Sequence, residues 1–361
     1  MKKEFYIGVM SGTSLDGVDV ALCSITKNSC VLVKSYEHKF PKKLKREILY
    51  AITNPVTLQT MGELHIKLGK LFAKAVNNLI KKYALERKKI KAIGLHGQTL
   101  WHHPHGKHPF SLQLGSPAVV AAKTNMDVVA DFRSGDIANG GEGAPFAPAF
   151  HAFAFKHNKH AAIVNIGGMA NITLLHPNTQ GWDVGAGNVL LDYWAHKHLH
   201  AKYDKNGKFA GSGKIDTKLL KCLLADPYIK KQTPKSTGRE YFNPQWLNKK
   251  IKNFTHLKAC DVQATLTEFC AQTIADAIKG KGVNEIILCG GGAKNSYLRK
   301  RIEKCSACYV TTSDKYGIES DFLEAMAFAY FAYKRLKKEK IKLKTVTGAK
   351  HNTLLGAIYP A

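Results

Sequence analysis

The chain lacks the long apolar segments of membrane and secreted proteins. No run of about 18 or more apolar residues occurs among its 361 residues, so no membrane-spanning helix is predicted. The first four residues, Met1 to Glu4, lead directly into an apolar segment of strand length and not into the apolar core of a signal peptide. We therefore expect a cytoplasmic protein with no membrane partner.

Cysteine is sparse and scattered. The chain has eight cysteines, and its only Cys-x-x-Cys pattern is Cys305 to Cys308. A structural zinc site needs a second such pair or a histidine pair at ligand spacing, and neither is nearby. A chain of this length does not need disulfide bonds to fold. We interpret the cysteines as reduced thiols and predict no metal site made of protein ligands alone.

Acidic residues are half as numerous as basic ones. The 27 aspartates and glutamates face 54 lysines and arginines, which gives a formal net charge of +27. Such a charge attracts polyanions, but the basic residues are spread over the whole chain and follow no zinc-finger, RRM or helix-turn-helix pattern. We interpret them as a solvated surface and expect no specific nucleic-acid partner. A polyanion-binding protein remains an alternative.

The two common phosphate-binding patterns, the P-loop and the dinucleotide motif G-x-G-x-x-G, are both absent. The chain instead begins with an apolar run, Phe5 to Met10, a polar loop with Gly12 and Gly17, and an alternating run from Val18 to Leu22. This pattern predicts strand, loop, strand. Glycines permit backbone N–H groups to converge on an anion, so phosphate binding is one hypothesis and an ordinary turn is the other.

A similar pattern returns later in the chain. Residues 161–166 form an apolar run, residues 167–171 a glycine turn, and residues 172–175 a second apolar run. Further on, an apolar strand over 285–289 is followed by three glycines, 290–292, and a predicted helix. Two glycine hairpins, each at the head of a segment that mixes strands and helices, predict two related α/β lobes.

Polar residues follow several predicted strands, where α/β proteins usually bind ligands. His96 follows the strand 90–95, and Asp131 and Arg133 follow the strand 128–130. Asp183 precedes a predicted helix, a position where aspartate is commonly a cap and where an anion is also favoured. Glu324 lies three residues after Asp321 and could close a capping box.

Together these motifs resemble the actin-like, hexokinase-like ATPase scaffold. More closely, six segments resemble the anhydro-N-acetylmuramic acid kinase family, and they are spread over nearly the whole chain: 7–19, 96–99, 131–133, 165–168, 235–240 and 288–292. The resemblance implies a two-lobed α/β fold of duplicated ribonuclease H-like domains with a nucleotide cleft between the lobes. We expect the N-terminal lobe to be residues 1–145 and the C-terminal lobe to be residues 146–361.

The resemblance also implies a reaction. Members of this family use ATP and Mg²⁺ to open the 1,6-anhydro ring of N-acetylmuramic acid with water and to phosphorylate O6, giving N-acetylmuramic acid 6-phosphate for peptidoglycan recycling. The protein is then expected to be a homodimer, with Asp183 as the general base. The implied nucleotide contacts are Gly12, Thr13, Ser14, Leu15, Asp16, Gly17, Val18, Asp19, Gly167, Gly168, Gly291 and Gly292. The implied sugar contacts are His96, Asp131, Arg133 and Glu324.

One departure from the family pattern keeps two alternatives open. Where the family usually has Asp-Thr-Gly-Pro-Gly-Asn, this chain has Val184 and Ala186 in place of threonine and proline. We interpret Val184 as the loss of a hydroxyl that could donate to phosphate or water, and Ala186 as a loosened turn. The alternatives are a kinase of another sugar on the same scaffold and a catalytically weakened nucleotide-binding protein.

Overall fold

The computed structural model describes residues 3–12, 15–233 and 235–361. It divides the chain into two compact units. The first unit combines Met1–Ala154 with Phe322–Ala361, and the second is Phe155–Asp321. The expected division at residue 145 therefore differs from the structure in one main respect: the C-terminal segment lies with the first unit.

The elements of both units follow in chain order. The strands are β1 (Glu4–Met10), β2 (Gly17–Ile25), β3 (Cys30–Lys39), β4 (Ile90–Leu95), β5 (Gln98–His103), β6 (Phe110–Leu114), β7 (Val128–Ala130), β8 (Ala161–Ile166), β9 (Met169–Leu174), β10 (Gln180–Ala186), β11 (Glu285–Cys289), β12 (Tyr309–Thr312) and β13 (Ala357–Tyr359). The helices are α1 (Lys42–Thr53), α2 (Leu58–Lys82), α3 (Pro117–Thr124), α4 (Phe132–Ala138), α5 (Ala147–Ala154), α6 (Asn188–Leu199), α7 (Lys208–Gly211), α8 (Thr217–Leu224), α9 (Pro227–Lys230), α10 (Pro244–Ile251), α11 (Ala259–Ile278), α12 (Ser296–Ser306), α13 (Leu323–Leu336) and α14 (Lys344–Thr347).

The main sheet of the first unit has the strand order β3-β2-β1-β4-β7-β13 in the described part of the chain. Strand β2 is antiparallel to β1 and β3, whereas β1, β4 and β7 are parallel. The apolar stripe of the long helix α2 packs in the same hydrophobic cluster as the side chains of this sheet. The carboxyl ends of β1 and β4 therefore lie at one edge, where the first glycine loop and His96 follow.

The sheet of the second unit repeats this connectivity. Its order, over the residues described, is β10-β9-β8-β11-β12, with β9 antiparallel to β8 and β10 and with β8, β11 and β12 parallel. In both units the first three strands form a meander, and the next two strands are added in parallel on the other side of the first strand. This repeated topology is that of the actin-like α/β fold.

Helix α13 explains why the C-terminal segment belongs to the first unit. A Cβ atom added at Gly8 in β1 would lie 1.7 Å from the Ala325 carbonyl oxygen, and one added at Gly94 in β4 would lie 2.0 Å from that of Phe328. The helix backbone thus packs directly on two glycines of the sheet. Periodicity predicts an apolar helix here but cannot say which sheet it covers.

The start of α13 also differs from the sequence-based hypothesis of a capping box. The residue before the helix is Phe322, and no side-chain hydrogen bond caps the helix there. Asp321 instead forms an ion pair with Lys294. Glu324 lies in the first turn of the helix, so its carboxyl is not committed to a capping box with Asp321.

Across the described ranges, none of the helices combines the length and the apolar character that crossing a bilayer would require.

Candidate active site

Asp183 lies within strand β10 and not at the start of the following helix. A register shift in the pairing with β9 falls between Asp183 and Gly185. The Asp183 carboxylate oxygen Oδ2 accepts hydrogen bonds from the Ser236 hydroxyl at 3.0 Å and from the Thr237 backbone N–H at 3.1 Å. Asp183 is therefore not a helix cap, because this carboxylate is bonded to a segment more than fifty residues further along the chain.

The electrostatic surroundings of Asp183 make it a stronger base than an ordinary aspartate. Desolvation raises the pKa of Asp183, the hydrogen bonds from Thr237 and Ser236 lower it, and the charge of Glu240 raises it again, with a net upward shift. A partly buried carboxylate of this kind can take a proton from water more readily than a solvated one.

The second glycine turn is joined to the start of helix α6. The Gly167 carbonyl accepts from the Asn188 N–H at 2.8 Å, and the Gly168 carbonyl accepts from the Gly187 and Val189 N–H groups at 2.9 and 3.1 Å. These N–H groups of the helix start are therefore not directed at an anion. The guanidinium of Arg239 lies close to the turn, with Nε and Nη2 3.5 Å from the position of a Cβ built on Gly168.

A cavity of about 450 Å³ lies within the second unit beside the triple glycine. Gly291 lines this cavity, whereas a Cβ on Gly292 would lie 2.4 Å from Ile166 Cγ2, so Gly292 serves close packing. Several of the side chains that line the cavity are polar. A nucleoside needs a concave site with a few directed donors and acceptors, and this cavity offers both. Its lining is Asn188, Leu191, Asp192, Tyr203, Asp204, Lys205, Asn206, Gly291, Lys294 and Asn295.

The first glycine loop connects β1 to β2. Thr13 and Ser14, two of its predicted phosphate contacts, lie outside the described residues. The Leu15 and Val18 side chains are buried in the hydrophobic core, so these two residues could offer a ligand only backbone groups. Asp16 is 76 % exposed at its side chain and pairs with Lys45 at 3.1 Å.

Three further residues of this loop complete the predicted set. Gly12 precedes the undescribed pair, and its carbonyl accepts from the Leu15 N–H at 3.2 Å. Gly17 opens β2, and a Cβ there would lie 2.8 Å from Glu37 Oε1. Asp19 pairs in register with Met10 across the hairpin.

Arg133 and His96 are adjacent in the first unit. The Arg133 Nη2 group donates to His96 Nε2 at 2.9 Å, so His96 is neutral with its proton on Nδ1. Desolvation, with the charge of Arg133, holds the pKa of His96 well below its usual value. The buried Nε of Arg133 has no hydrogen-bond partner among the described residues. A guanidinium with one N–H engaged and another unpaired is suited to receive an anionic ligand.

Glu324 acts electrostatically on the same arginine. Desolvation lowers the pKa of Arg133 to about 10, and the charge of Glu324 opposes this effect. Desolvation likewise raises the pKa of Glu324, and Arg133 opposes it. The Glu324 residue as a whole is solvent-exposed. Glu324 is thus accessible and has a raised proton affinity.

Asp131 has a local structural partner. Its carboxylate oxygen Oδ1 accepts from the Ser134 hydroxyl at 2.6 Å and caps the start of helix α4. The backbone of Asp131 has a φ of 56°, in the left-handed region. One oxygen of this exposed carboxylate is therefore already engaged, and the assignment of Asp131 as a sugar contact remains a prediction.

Comparison with known proteins decides the family. The sequence model described as anhydro-N-acetylmuramic acid kinase matches residues 4–361. A protein of that name from Sulfurimonas denitrificans is 49 % identical over 365 residues, with 99 % of each chain covered. One from a Sulfurovum species is 50 % identical over 362 residues, covering 99 % of this chain and 100 % of the relative. The chain belongs to the anhydro-N-acetylmuramic acid kinase family.

A solved structure agrees with the fold of the family member described here. Component A of (R)-2-hydroxyglutaryl-CoA dehydratase from Acidaminococcus fermentans aligns with a TM-score of 0.51 at 12 % identity, covering 92 % of this chain and 99 % of that one. At this identity the likeness concerns the fold alone. The predicted two-lobed actin-like α/β fold is thus confirmed.

The two departures from the usual family pattern, Val184 and Ala186, both lie in strand β10. The Val184 side chain is 2 % exposed and packs in the hydrophobic cluster of the second sheet. Val184 lies at the register shift between Asp183 and Gly185, and its side chain packs in the same cluster as that of Trp182. Ala186 is buried and lies in β10, paired with Met169. The Val184 side chain thus lies in the core and Ala186 at the end of a strand, and the interpretations of a lost phosphate donor and a loosened turn stay predictions.

Sequence reasoning gave no role to the segment that holds Asp183. Ser236, Thr237 and Arg239 all belong to the motif 235–240, which carried part of the family resemblance. Nothing in their local pattern indicates a partner in β10, because the contact is between segments far apart in sequence. Lys294 and Asn295 of the cavity lining lie two and three residues after Gly292, the last residue of the triple glycine, and that proximity is a signal that could have identified them.

Proposed function

We propose that this protein uses ATP to open 1,6-anhydro-N-acetylmuramic acid with water and to phosphorylate its O6, giving N-acetylmuramic acid 6-phosphate and ADP for peptidoglycan recycling. The observation that carries the proposal is the carboxylate of Asp183. Desolvation raises its pKa, and the described residues donate hydrogen bonds to its Oδ2 oxygen and none to Oδ1. Family membership supplies the substrates, and this carboxylate supplies the base that hydrolysis requires.

In the proposed reaction, Asp183 takes a proton from a water molecule as the water oxygen attacks the anomeric carbon. The bond between that carbon and O6 breaks, and O6 keeps the electron pair. An inverting glycosidase uses a second, protonated carboxyl to assist the departing oxygen. Here O6 forms a bond to the γ-phosphorus of ATP while the bond to the β,γ-bridging oxygen breaks. The bond from O6 to the γ-phosphorus thus takes the place of the bond from O6 to the proton that a second carboxyl would supply.

Phosphoryl transfer requires alignment and positive charge rather than further covalent chemistry. We assign the alignment to the loop and strand start at residues 12–19, as the family resemblance implies, and to the turn of Gly167 and Gly168. Arg239, whose guanidinium lies beside Gly168, would add charge near the transferred group. The predicted contacts Thr13 and Ser14 remain part of this proposal.

We assign the nucleoside of ATP to the cavity that Gly291 lines. Its volume of about 450 Å³ falls in the range of small-molecule sites, roughly 300–1,000 Å³. Asn188 Nδ2 donates to the Ile166 carbonyl at 3.0 Å, which fixes this side chain at the junction of the glycine turn and the cavity. Asp204, whose carboxylate accepts from the Phe209 and Ala210 N–H groups, orders the opposite loop.

We assign the lactyl carboxylate of the sugar to Arg133. The neutral ring of His96 orients one Nη group of this arginine, and the buried Nε has no hydrogen-bond partner among the described residues. Two parallel N–H donors recognise a carboxylate bidentately. Glu324, with its raised pKa, is proposed to accept a hydrogen bond from a sugar hydroxyl or amide.

The Mg²⁺ ion of the family reaction would be held mainly by phosphate oxygens. Among the described residues there is no group of three or more His, Cys, Asp or Glu side chains able to hold a metal. Mg²⁺ in such sites typically takes only one or two carboxylates besides phosphates and water. A site without a cluster of protein ligands is therefore compatible with Mg²⁺. Asp19 of the first hairpin is the carboxylate that we propose for it. When bound, Mg²⁺ would neutralise phosphate charge.

We further infer that the protein works in the cytoplasm as a homodimer, as the family resemblance implies. Light scattering after size exclusion would test the dimer. A mass of 39.8 kDa, that of one chain, would contradict it.

The proposal is tested by incubating the purified protein with ATP, Mg²⁺ and 1,6-anhydro-N-acetylmuramic acid and measuring ADP and the phosphorylated sugar. We expect equal amounts of both products. A parallel series with N-acetylmuramic acid, N-acetylglucosamine and glucose tests the alternative of another sugar kinase. Faster turnover of any of these than of the anhydro sugar would contradict the proposal.

A further inference from the structure

The two oxygens of the Asp183 carboxylate have unequal surroundings. Oδ2 accepts from Ser236 Oγ at 3.0 Å and from Thr237 N at 3.1 Å. No hydrogen bond reaches Oδ1 from any residue that the structure describes. An ionised carboxylate can accept about four hydrogen bonds over its two oxygens, so the unengaged capacity is concentrated on one atom.

The main chain of Asp183 is bonded to the same region of the protein. Its N–H donates to the Lys235 carbonyl at 3.1 Å, and its carbonyl accepts from the Tyr228 hydroxyl at 2.8 Å. The Lys235 ammonium group in turn donates to the carbonyls of Tyr228 and Ile229 at 3.1 and 3.0 Å. The segment 235–237, fastened to the end of α9, therefore fixes both the backbone and the carboxylate of Asp183.

This arrangement matters for proton transfer. A proton that arrives on Oδ1 leaves both donors on Oδ2 in place, whereas a proton that arrives on Oδ2 would displace at least one of them. Donors that bind a carboxylate stabilise its charged form and lower its pKa. The same two hydrogen bonds can thus select the reactive oxygen and limit the rise in pKa that desolvation causes.

We propose that Ser236 and Thr237 are positioning residues that hold Oδ2 of Asp183 and leave Oδ1 as the atom that accepts the proton from water. This inference rests on the proposed role of Asp183 as the base. It assigns a function to part of the motif 235–240 and identifies the Ser236 hydroxyl as the component that substitution can remove.

The charged and titratable groups around Asp183 determine how this can be measured. Glu240 raises the pKa of Asp183, and the charge of Asp183, after desolvation, raises the pKa of Tyr228. Desolvation lowers the pKa of Lys235, and the charge of Lys231 acts in the same direction. The acidic limb of the rate profile should therefore report mainly on Asp183.

The test compares Ser236→Ala and Ser236→Thr with the wild type, using kcat as a function of pH. Removing the hydroxyl should move the acidic limb upward by roughly one pH unit and lower kcat near neutral pH roughly tenfold, as loss of one hydrogen bond to a charged group predicts. The threonine variant keeps a hydroxyl and should restore both quantities. Ser306→Ala, which removes a serine hydroxyl bonded to the Ile302 carbonyl in α12, is the matched control and should behave as wild type.

Two outcomes would overturn the positioning role. One is a Ser236→Ala enzyme with wild-type kcat and an unshifted limb. The other is a fall in kcat with an unshifted limb and no rescue by threonine, which would indicate a structural effect. Failure of the proposed function is distinguished by Asp183→Asn: if that variant keeps full activity, Asp183 is not the base, whatever Ser236 does.

Discussion

Replacing Gly8 by alanine tests the packing of helix α13 on the first sheet. The added Cβ would lie 1.7 Å from the Ala325 carbonyl oxygen and 2.7 Å from the Ala329 nitrogen, and real Cβ atoms essentially never come closer than 3.0 Å. The helix would have to retreat by at least 1.3 Å, the difference between 3.0 and 1.7 Å. Because both obstacles are backbone atoms, no side-chain rotation relieves the clash.

The size of this displacement determines how much free energy of unfolding the Gly8→Ala variant loses. Overpacking a core costs typically 1–3 kcal/mol, and we expect the upper end, about 3 kcal/mol, because the helix must move as a body. For a unit of this size that corresponds to a fall in Tm of roughly 6–12 °C. Glu324 immediately precedes Ala325 in the same helix turn, so the folded fraction should also lose activity.

Scanning calorimetry and a steady-state assay below the transition would measure both effects. Gly62→Ala is the matched control, because a Cβ at Gly62 in α2 meets nothing within 4 Å; it should be neutral or stabilising by up to about 1 kcal/mol. A Gly8→Ala protein that melts within about 2 °C of wild type would refute the assignment of the C-terminal helix to this sheet.

Three further predictions follow from the site. Arg133→Gln should raise KM for the anhydro sugar roughly 10- to 100-fold, the loss of a charged hydrogen bond, and leave KM for ATP unchanged; an equal effect on an analogue whose lactyl group is a carboxamide would contradict this. Val184→Thr should keep kcat within about threefold and lower Tm, because the hydroxyl enters a core; a clear gain in kcat would contradict it. The raised pKa of Asp183 means that the folded state binds this proton more tightly than the unfolded state, so stability is lost as pH rises through the pKa values. Asp183→Asn should accordingly gain in unfolding free energy relative to wild type on going from about pH 3 to pH 7; a constant difference would contradict this sign.

Local patterns were sufficient for much of the fold. The alternation from Val18 to Leu22 predicted the strand β2, which runs from Gly17 to Ile25. The two glycine hairpins predicted the duplication. These features are encoded by neighbouring residues, since strand and helix periods depend only on local geometry.

The remainder depended on contacts distant in sequence. Helix α13 packs on β1, more than three hundred residues before it, and its apolar pattern alone does not say which sheet it covers. Asp183 looked like a helix cap because the residues after it form a helix, yet Ser236 and Thr237 determine its orientation. The position of Val184 in β10 depended on knowing that the strand continues past Asp183.

The central claim is that Asp183 delivers water to the anomeric carbon in the same reaction in which O6 is phosphorylated. The most direct measurement is turnover in ¹⁸O-labelled water with mass spectrometry of the product, for wild type and for Asp183→Asn. We predict that the wild type places the label at the anomeric hydroxyl and none in the phosphate. In the variant, ring opening and phosphorylation should fall together, by roughly 10²- to 10⁴-fold. Label in the phosphate group, or ring opening that persists without phosphorylation, would contradict the account.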